Sequence, residues 1–121
     1  MSTKKVLVVD DSPTELTNIQ TIVSDAGCDV LTATNGQEAL AKAKAEKPDL
    51  IFLDIVMPDQ DGFSTCRELS GDTDTKDIPV VFVTSKNQKA DRVWAQMQGA
   101  KGYITKPYSS NEIIDQIKSL Q

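Results

Sequence analysis

Val6-Leu7-Val8-Val9-Asp10-Asp11-Ser12-Pro13-Thr14-Glu15 runs without interruption from an apolar segment, through two acids, into a helix start. Four aliphatic residues in a row, three of them β-branched, read as a strand covered on both faces, the habit of a parallel sheet. Ser12 is a capping residue, Pro13 suits the first helical turn, and Glu15 stands three positions after the cap, the pattern of a capping box. Leu16, Ile19, Ile22 and Val23 then recur on one helical face until Gly27 supplies the stop. The stretch is therefore a β-strand followed by an α-helix, with two carboxylates at the strand's carboxyl end.

The same unit repeats along the chain. Further apolar runs lie at Val30-Leu31-Thr32-Ala33, Leu50-Ile51-Phe52-Leu53, Val80-Val81-Phe82-Val83 and Tyr103-Ile104. Asn35-Gly36-Gln37-Glu38 opens a second helix with Ala39, Leu40 and Ala43 inward and Pro48 beyond its end. A third helix is expected over Phe63 to Leu69, ending near Gly71, and a fourth over Lys89 to Gln98, stopped by Gly99. Ser109-Ser110-Asn111-Glu112 caps the last, with Ile113, Ile114, Ile117 and Leu120 at helical spacing. The polar segment Gly71 to Asp77 reads as a loop. Right-handed crossovers between parallel strands turn this (βα)₅ order into an α/β fold, an open doubly wound sheet with helices on both faces and one domain over residues 1–121.

Composition narrows the function. The 121 residues carry a net charge of −5, against nucleic-acid binding, which needs a basic footprint. No apolar run approaches a membrane span, and the N-terminus lacks the pattern of a signal peptide, so a cytoplasmic location without membrane attachment is expected. Cys28 and Cys66 lack metal-ligand spacing and read as reduced structural thiols. The chain contains no histidine, which removes Ser-His and Cys-His nucleophiles and leaves carboxylate, hydroxyl and amine chemistry.

Ligands of a doubly wound sheet collect at the carboxyl ends of its strands. There the sequence places Asp10 and Asp11 after strand one, Asp54 after strand three, Thr84-Ser85 after strand four and Lys106-Pro107 after strand five. Each has an ordinary reading alone: the first pair as acids at a helix N-terminus, Asp54 as a turn residue, Lys106 as a loop residue. Together they are harder to dismiss. Two carboxylates about 4 Å apart repel by roughly 4 kcal/mol at an effective dielectric near 20. Oxygen donors of this kind suit Mg²⁺. A carboxylate beside a divalent ion and a lysine is equipped to attack phosphorus and form an aspartyl phosphate.

These residues resemble the receiver domains of bacterial two-component response regulators. The matching stretches are Val8-Val9-Asp10-Asp11-Ser12, Leu53-Asp54-Ile55-Val56-Met57-Pro58 with Asp61-Gly62, Val83-Thr84-Ser85 and Gly102-Tyr103-Ile104-Thr105-Lys106-Pro107. The resemblance implies a flavodoxin-like fold with strand order 2-1-3-4-5. It also implies Asp54 as phosphoacceptor, and Mg²⁺ held by Asp11 directly, Asp10 mainly through water, Asp54 and the Val56 backbone carbonyl. Thr84 would be the switch hydroxyl, Tyr103 the aromatic that turns inward when Thr84 moves, and Lys106 the amine that meets the phosphoryl oxygens through a loop with a cis bond to Pro107. A sensor histidine kinase would be the phosphodonor. A protein target would read the face of the fourth helix, fifth strand and fifth helix, unless the chain serves as a phosphate sink; a monomer is expected. Asp11-Ser12-Pro13-Thr14-Glu15, Asp54-Ile55-Val56-Met57-Pro58 and Val93-Trp94 before Gln98-Gly99-Ala100 are similar to the twitching-motility regulators of type IV pilus signalling.

Two positions depart from the chemotaxis members of that family. Val56 is apolar where they carry an amide, and Lys86 is basic where they carry an acid; both are expected to border the path of an attacking water. Trp94 reads either as a packing residue or as a partner anchor, Lys89 and Arg92 as a solvated face, and Asp59 and Asp61 as turn residues. A phosphatase of the haloacid-dehalogenase type would want a second acid where Val56 stands. A cofactor-binding flavodoxin would want a phosphate loop where Asp10 and Asp11 would repel an anion.

Overall fold

The computed structural model describes residues 4–119. Five strands and five helices alternate: β1 (Lys5–Val9), α1 (Pro13–Asp25), β2 (Asp29–Ala33), α2 (Gly36–Glu46), β3 (Leu50–Leu53), α3 (Gly62–Gly71), β4 (Val80–Thr84), α4 (Lys89–Met97), β5 (Gly102–Thr105) and α5 (Ser110–Lys118). All strand pairs are parallel, in the order β2-β1-β3-β4-β5. The expected (βα)₅ class and strand order are borne out.

Side chains alternate across the sheet, and each strand feeds two cores. Leu7, Val9, Ile51, Leu53, Val80 and Phe82 meet Ala39 and Ala43 of α2, Cys66 and Leu69 of α3, and Ala95 of α4. On the other face Val6, Val8, Leu50, Phe52, Val81, Val83 and Ile104 meet Ile19 and Val23 of α1 and Ile113 and Ile117 of α5. This two-sided burial is why the strands read as continuous apolar runs. Leu16, Ile22, Leu40 and Ile114 are only half-buried at the margins of their helices, and the expected Leu120 lies outside the described residues. Cys28 and Cys66 are buried, free thiols.

The helix ends follow the sequence with one correction. Ser12 Oγ accepts from the Glu15 amide at 3.4 Å, but the Ser12 amide donates to Asp10 Oδ1 at 2.9 Å. The reciprocal half of the expected capping box is thus replaced by a bond to the strand-end acid, which leaves the Glu15 carboxylate free to turn elsewhere. Asn35 caps α2 through the Glu38 amide, and Ser109 and Glu112 form a full capping box on α5. Gly27 sits at φ +88°, a backbone region that favours glycine. Asp59 and Asp61 are more than turn residues. Asp61 caps α3 through the Ser64 amide, and Asp59 accepts from both the Gly36 and Gln37 amides, tying the loop after β3 to the N-terminus of α2. Those amide bonds hold the Asp59 carboxyl below its ordinary range.

Candidate functional site

Asp10 follows the last residue of β1 and Asp54 the last residue of β3. Backbone bonds set their heights: the Asp10 amide donates to the Ala33 carbonyl and the Asp54 amide to the Val9 carbonyl, both at 3.1 Å. These bonds continue the parallel ladders one step past the strands and bring two residues far apart in sequence to one rim. Gly62 completes the support from below. A Cβ there would run into the Asp54 carbonyl oxygen and stand 2.7 Å from Ile55 Cα, so only glycine lets α3 start this close to the strand end.

Carboxylate oxygens of Asp10, Asp11 and Asp54 all lie within 4.8 Å of one another. Asp10 and Asp54 are buried, at 1% and 7% exposure, whereas Asp11 faces solvent. Lys106 Nζ donates to Asp10 Oδ2 at 2.8 Å and to Asp54 Oδ2 at 3.2 Å. The other Asp54 oxygen accepts from the Ile55 amide at 2.7 Å and the Val56 amide at 3.4 Å. Burial, with Asp54 nearby, raises the Asp10 carboxyl above its ordinary range despite the bonds from Lys106 and Ser12. Burial works against the Lys106 charge too, but its bond to Asp10 and the charge of Asp54 outweigh it and leave the ammonium raised. One ammonium thus bonds two of the three clustered carboxylates. The remaining negative charge, presented on hard oxygen donors, fits a divalent cation with a taste for oxygen.

The other expected site residues are placed differently. Thr84 is fully buried at the end of β4, and its hydroxyl accepts from the Lys86 amide at 3.4 Å instead of touching an acid. Tyr103 is half-buried; its hydroxyl donates to the Lys86 carbonyl at 2.7 Å and its ring meets Phe82 at 6.2 Å. Phe82 pairs with Tyr103 and Thr84 with Thr105, so Thr84 and Tyr103 project from the same face of the sheet. The Val56 side chain is 55% exposed beside the acids. The Lys106–Pro107 bond is cis, as expected.

Glu15 escaped the sequence reading as a site residue. Its Oε2 is buried without a hydrogen-bond partner and lies 3.9 Å from Lys106 Nζ. Its position three after a capping serine was the only available signal, and that signal pointed to helix capping. Arg92 is exposed as expected, but it is not merely solvated: its guanidinium lies 4.8 Å over the Tyr103 ring and donates to Thr105 Oγ1 at 2.7 Å. Trp94 packs on one side only: it is 46% exposed, with its ring edge-on to Phe63 at 6.4 Å.

A buried acid pair and an exposed third acid, bridged by lysine at the carboxyl rim of a 2-1-3-4-5 sheet, define a class, and comparison with known proteins agrees. Residues 6–118 match the response regulator receiver domain family, and the chain belongs to it. It is 42% identical over 116 residues to Protein PilH of Pseudomonas aeruginosa, covering 96% of each chain. Protein PilG of the same organism is 39% identical over 95% of this chain and 85% of its own. Among solved structures, Vibrio cholerae chemotaxis protein CheY4 superimposes with a TM-score of 0.92 at 29% identity, covering 99% of this chain and all of that one. Receiver domains take phosphate from histidine kinases, act on partners, and bind Mg²⁺ at their acidic pocket; they are signalling domains and not turnover enzymes. Among the described residues, no helix is long and apolar enough to cross a membrane.

Proposed function

We propose that this chain is a phosphorylation switch in which Asp54 accepts a phosphoryl group from a histidine kinase. The observation that carries the reading is the meeting of Asp10, Asp11 and Asp54 within 4.8 Å, with Lys106 bonded to two of them. Asp10, Asp11, Asp54 and the Val56 carbonyl are the residues that would hold Mg²⁺. The ion, when bound, neutralises charge on the transferring phosphoryl group.

The chain's own residues do the rest. An Asp54 carboxylate oxygen attacks phosphorus, the P–N bond of the kinase's phosphohistidine breaks, and its electron pair leaves with the imidazole. The Ile55 and Val56 amides orient the Asp54 carboxylate beforehand. Lys106, already between Asp10 and Asp54, pairs with a phosphoryl oxygen as a point charge. Thr84 then gives up the Lys86 amide for the phosphoryl group. Tyr103 turns into the space released, and the surface of α4, β5 and α5 changes for a protein partner. The likeness to PilH supports a place in chemotaxis-like signalling to type IV pili, as target-directed switch or phosphate sink.

Incubation with acetyl phosphate and Mg²⁺, read by intact mass, tests the proposal. One phosphoryl adduct, absent from Asp54→Ala, is expected. Steady turnover without an adduct would mark a phosphatase, and no reaction a cofactor-binding module.

A further inference from the structure

Four helices carry an acid three positions after the cap, and three of them spend it on their own start. The Glu38 carboxylate accepts from the Thr34 amide, Asp91 from the Gln88 amide and Glu112 from the Ser109 amide. On α1 the corresponding amide, that of Ser12, donates to Asp10 at 2.9 Å, and Glu15 turns toward the acid cluster instead. Its Oε2 is buried with no hydrogen-bond donor and stands 3.9 Å from Lys106 Nζ. A buried carboxylate oxygen without a donor is costly, and this one sits beside an ammonium with a proton to spare. Among the described residues, that ammonium donates only to Asp10 and Asp54. The framework sets the separation. Three residues along α1, Asn18 donates to the Tyr108 hydroxyl at 2.8 Å and ties the helix to the loop that carries Lys106.

We infer that Glu15 is a positioning residue: it is the seat onto which the Lys106 ammonium moves when Mg²⁺ enters the site. The inference rests on Asp10, Asp11 and Asp54 being the Mg²⁺ ligands. Lys106 and a divalent ion would draw on the same two buried acids, and like charges a few ångströms apart repel. A shift of about 1 Å toward Glu15 brings Nζ within bonding distance of Oε2. That shift frees an Asp54 oxygen for the ion and keeps the lysine at the rim, where phosphoryl oxygens would arrive.

Calorimetric titration of the full chain with Mg²⁺ alone tests this. Glu15→Gln keeps the shape of the side chain and removes its charge. It should weaken Mg²⁺ binding by about three- to tenfold, the worth of one partly buried ion pair. Loss of any nearby negative charge also weakens cation binding, so the comparison is repeated on a Lys106→Met background. With the ammonium gone, Glu15→Gln should weaken binding by at most about twofold, because only charge acting through space is left. Glu15→Asp needs no second background: it keeps the charge but falls one methylene short of Lys106, and it should bind Mg²⁺ less tightly than the parent. The same factor on both backgrounds, or a Glu15→Asp chain that binds as the parent does, overturns the inference. A parent that takes up no Mg²⁺ strikes the metal-site reading itself and takes the inference with it.

Discussion

Val56 stands at the mouth of the acid cluster with its side chain over half exposed and its amide directed at Asp54 Oδ1. An isopropyl group there offers an attacking water nothing to bond to, so an acyl phosphate on Asp54 would be long-lived. Val56→Asn adds one hydrogen-bonding side chain, worth at most about 1.5 kcal/mol; phosphate loss, followed by intact mass after removing the donor, should quicken by up to about tenfold. Equal or slower loss would remove the argument. The two strand-end acids differ in the same instructive way. Asp10 is buried and its carboxyl is raised above the ordinary 3.8, whereas Asp11 faces water that screens it. A carboxylate raised in the folded state costs stability when ionised, and the cost is relieved as pH falls through its folded pKa. Without metal, Asp10→Asn should therefore stabilise the chain more than Asp11→Asn, because Lys106 keeps Asp54 as a partner. Added Mg²⁺ should raise the parent's unfolding midpoint with concentration and leave both variants unmoved. A metal-free Asp10→Asn chain less stable than the parent would show that repulsion is not what dominates there. These acids were legible because strand ends are where such a sheet gathers its chemistry. Glu15 was not, since nothing in its spacing shows that Asp10 takes the Ser12 amide and frees the glutamate to face Lys106.

Capping chemistry made most of the helices readable before the fold was known. Ser12, Asn35 and Ser109 all stand where the sequence placed them, because an orphan amide at a helix start asks for a side-chain oxygen within three residues. The long-range cap was invisible: Asp59 satisfies two amides of α2, which begins over twenty residues upstream. Gly62 shows the reverse case, a residue legible as part of a turn whose purpose appears only when α3 is seen against the backbone of Asp54. Gly62→Ala forces that helix start away from the strand end. Overpacking of this kind costs about 1–3 kcal/mol, and the displaced Asp54 should also slow uptake of phosphate from acetyl phosphate. Chemical denaturation and the rate of adduct formation check the two effects separately. A variant with unchanged stability and unchanged rate would mean that the α3 start gives way freely.

Across the whole molecule, alternating strands and helices were enough for the (βα)₅ class, but the 2-1-3-4-5 order came from resemblance, since apolar runs do not by themselves say which neighbours pair. The double-sided core has a further consequence in alkali. Burial pushes the Cys66 thiol on α3 up to about 11 from an ordinary 9.0, despite a hydrogen bond with Ser70 that works the other way. Burial likewise raises the Cys28 thiol, and pushes the Tyr103 hydroxyl up to about 12. An acid raised in the folded state keeps its proton after the unfolded chain has lost it, so the unfolded state binds fewer protons and stability falls as pH rises. For Cys66 the loss begins near pH 9 and is complete near pH 11, about 2–3 kcal/mol in all. Tyr103 adds its share only above its ordinary 10.0. Unfolding free energy measured by denaturant at intervals from pH 8 to pH 10 should decline, and Cys66→Ala, whatever small cavity it leaves, should decline less steeply over the same range. The slope is the readout because the cavity shifts the variant's curve by a constant, while the missing thiol changes its shape; parallel curves would mean that the Cys66 thiol is not held protonated by its burial.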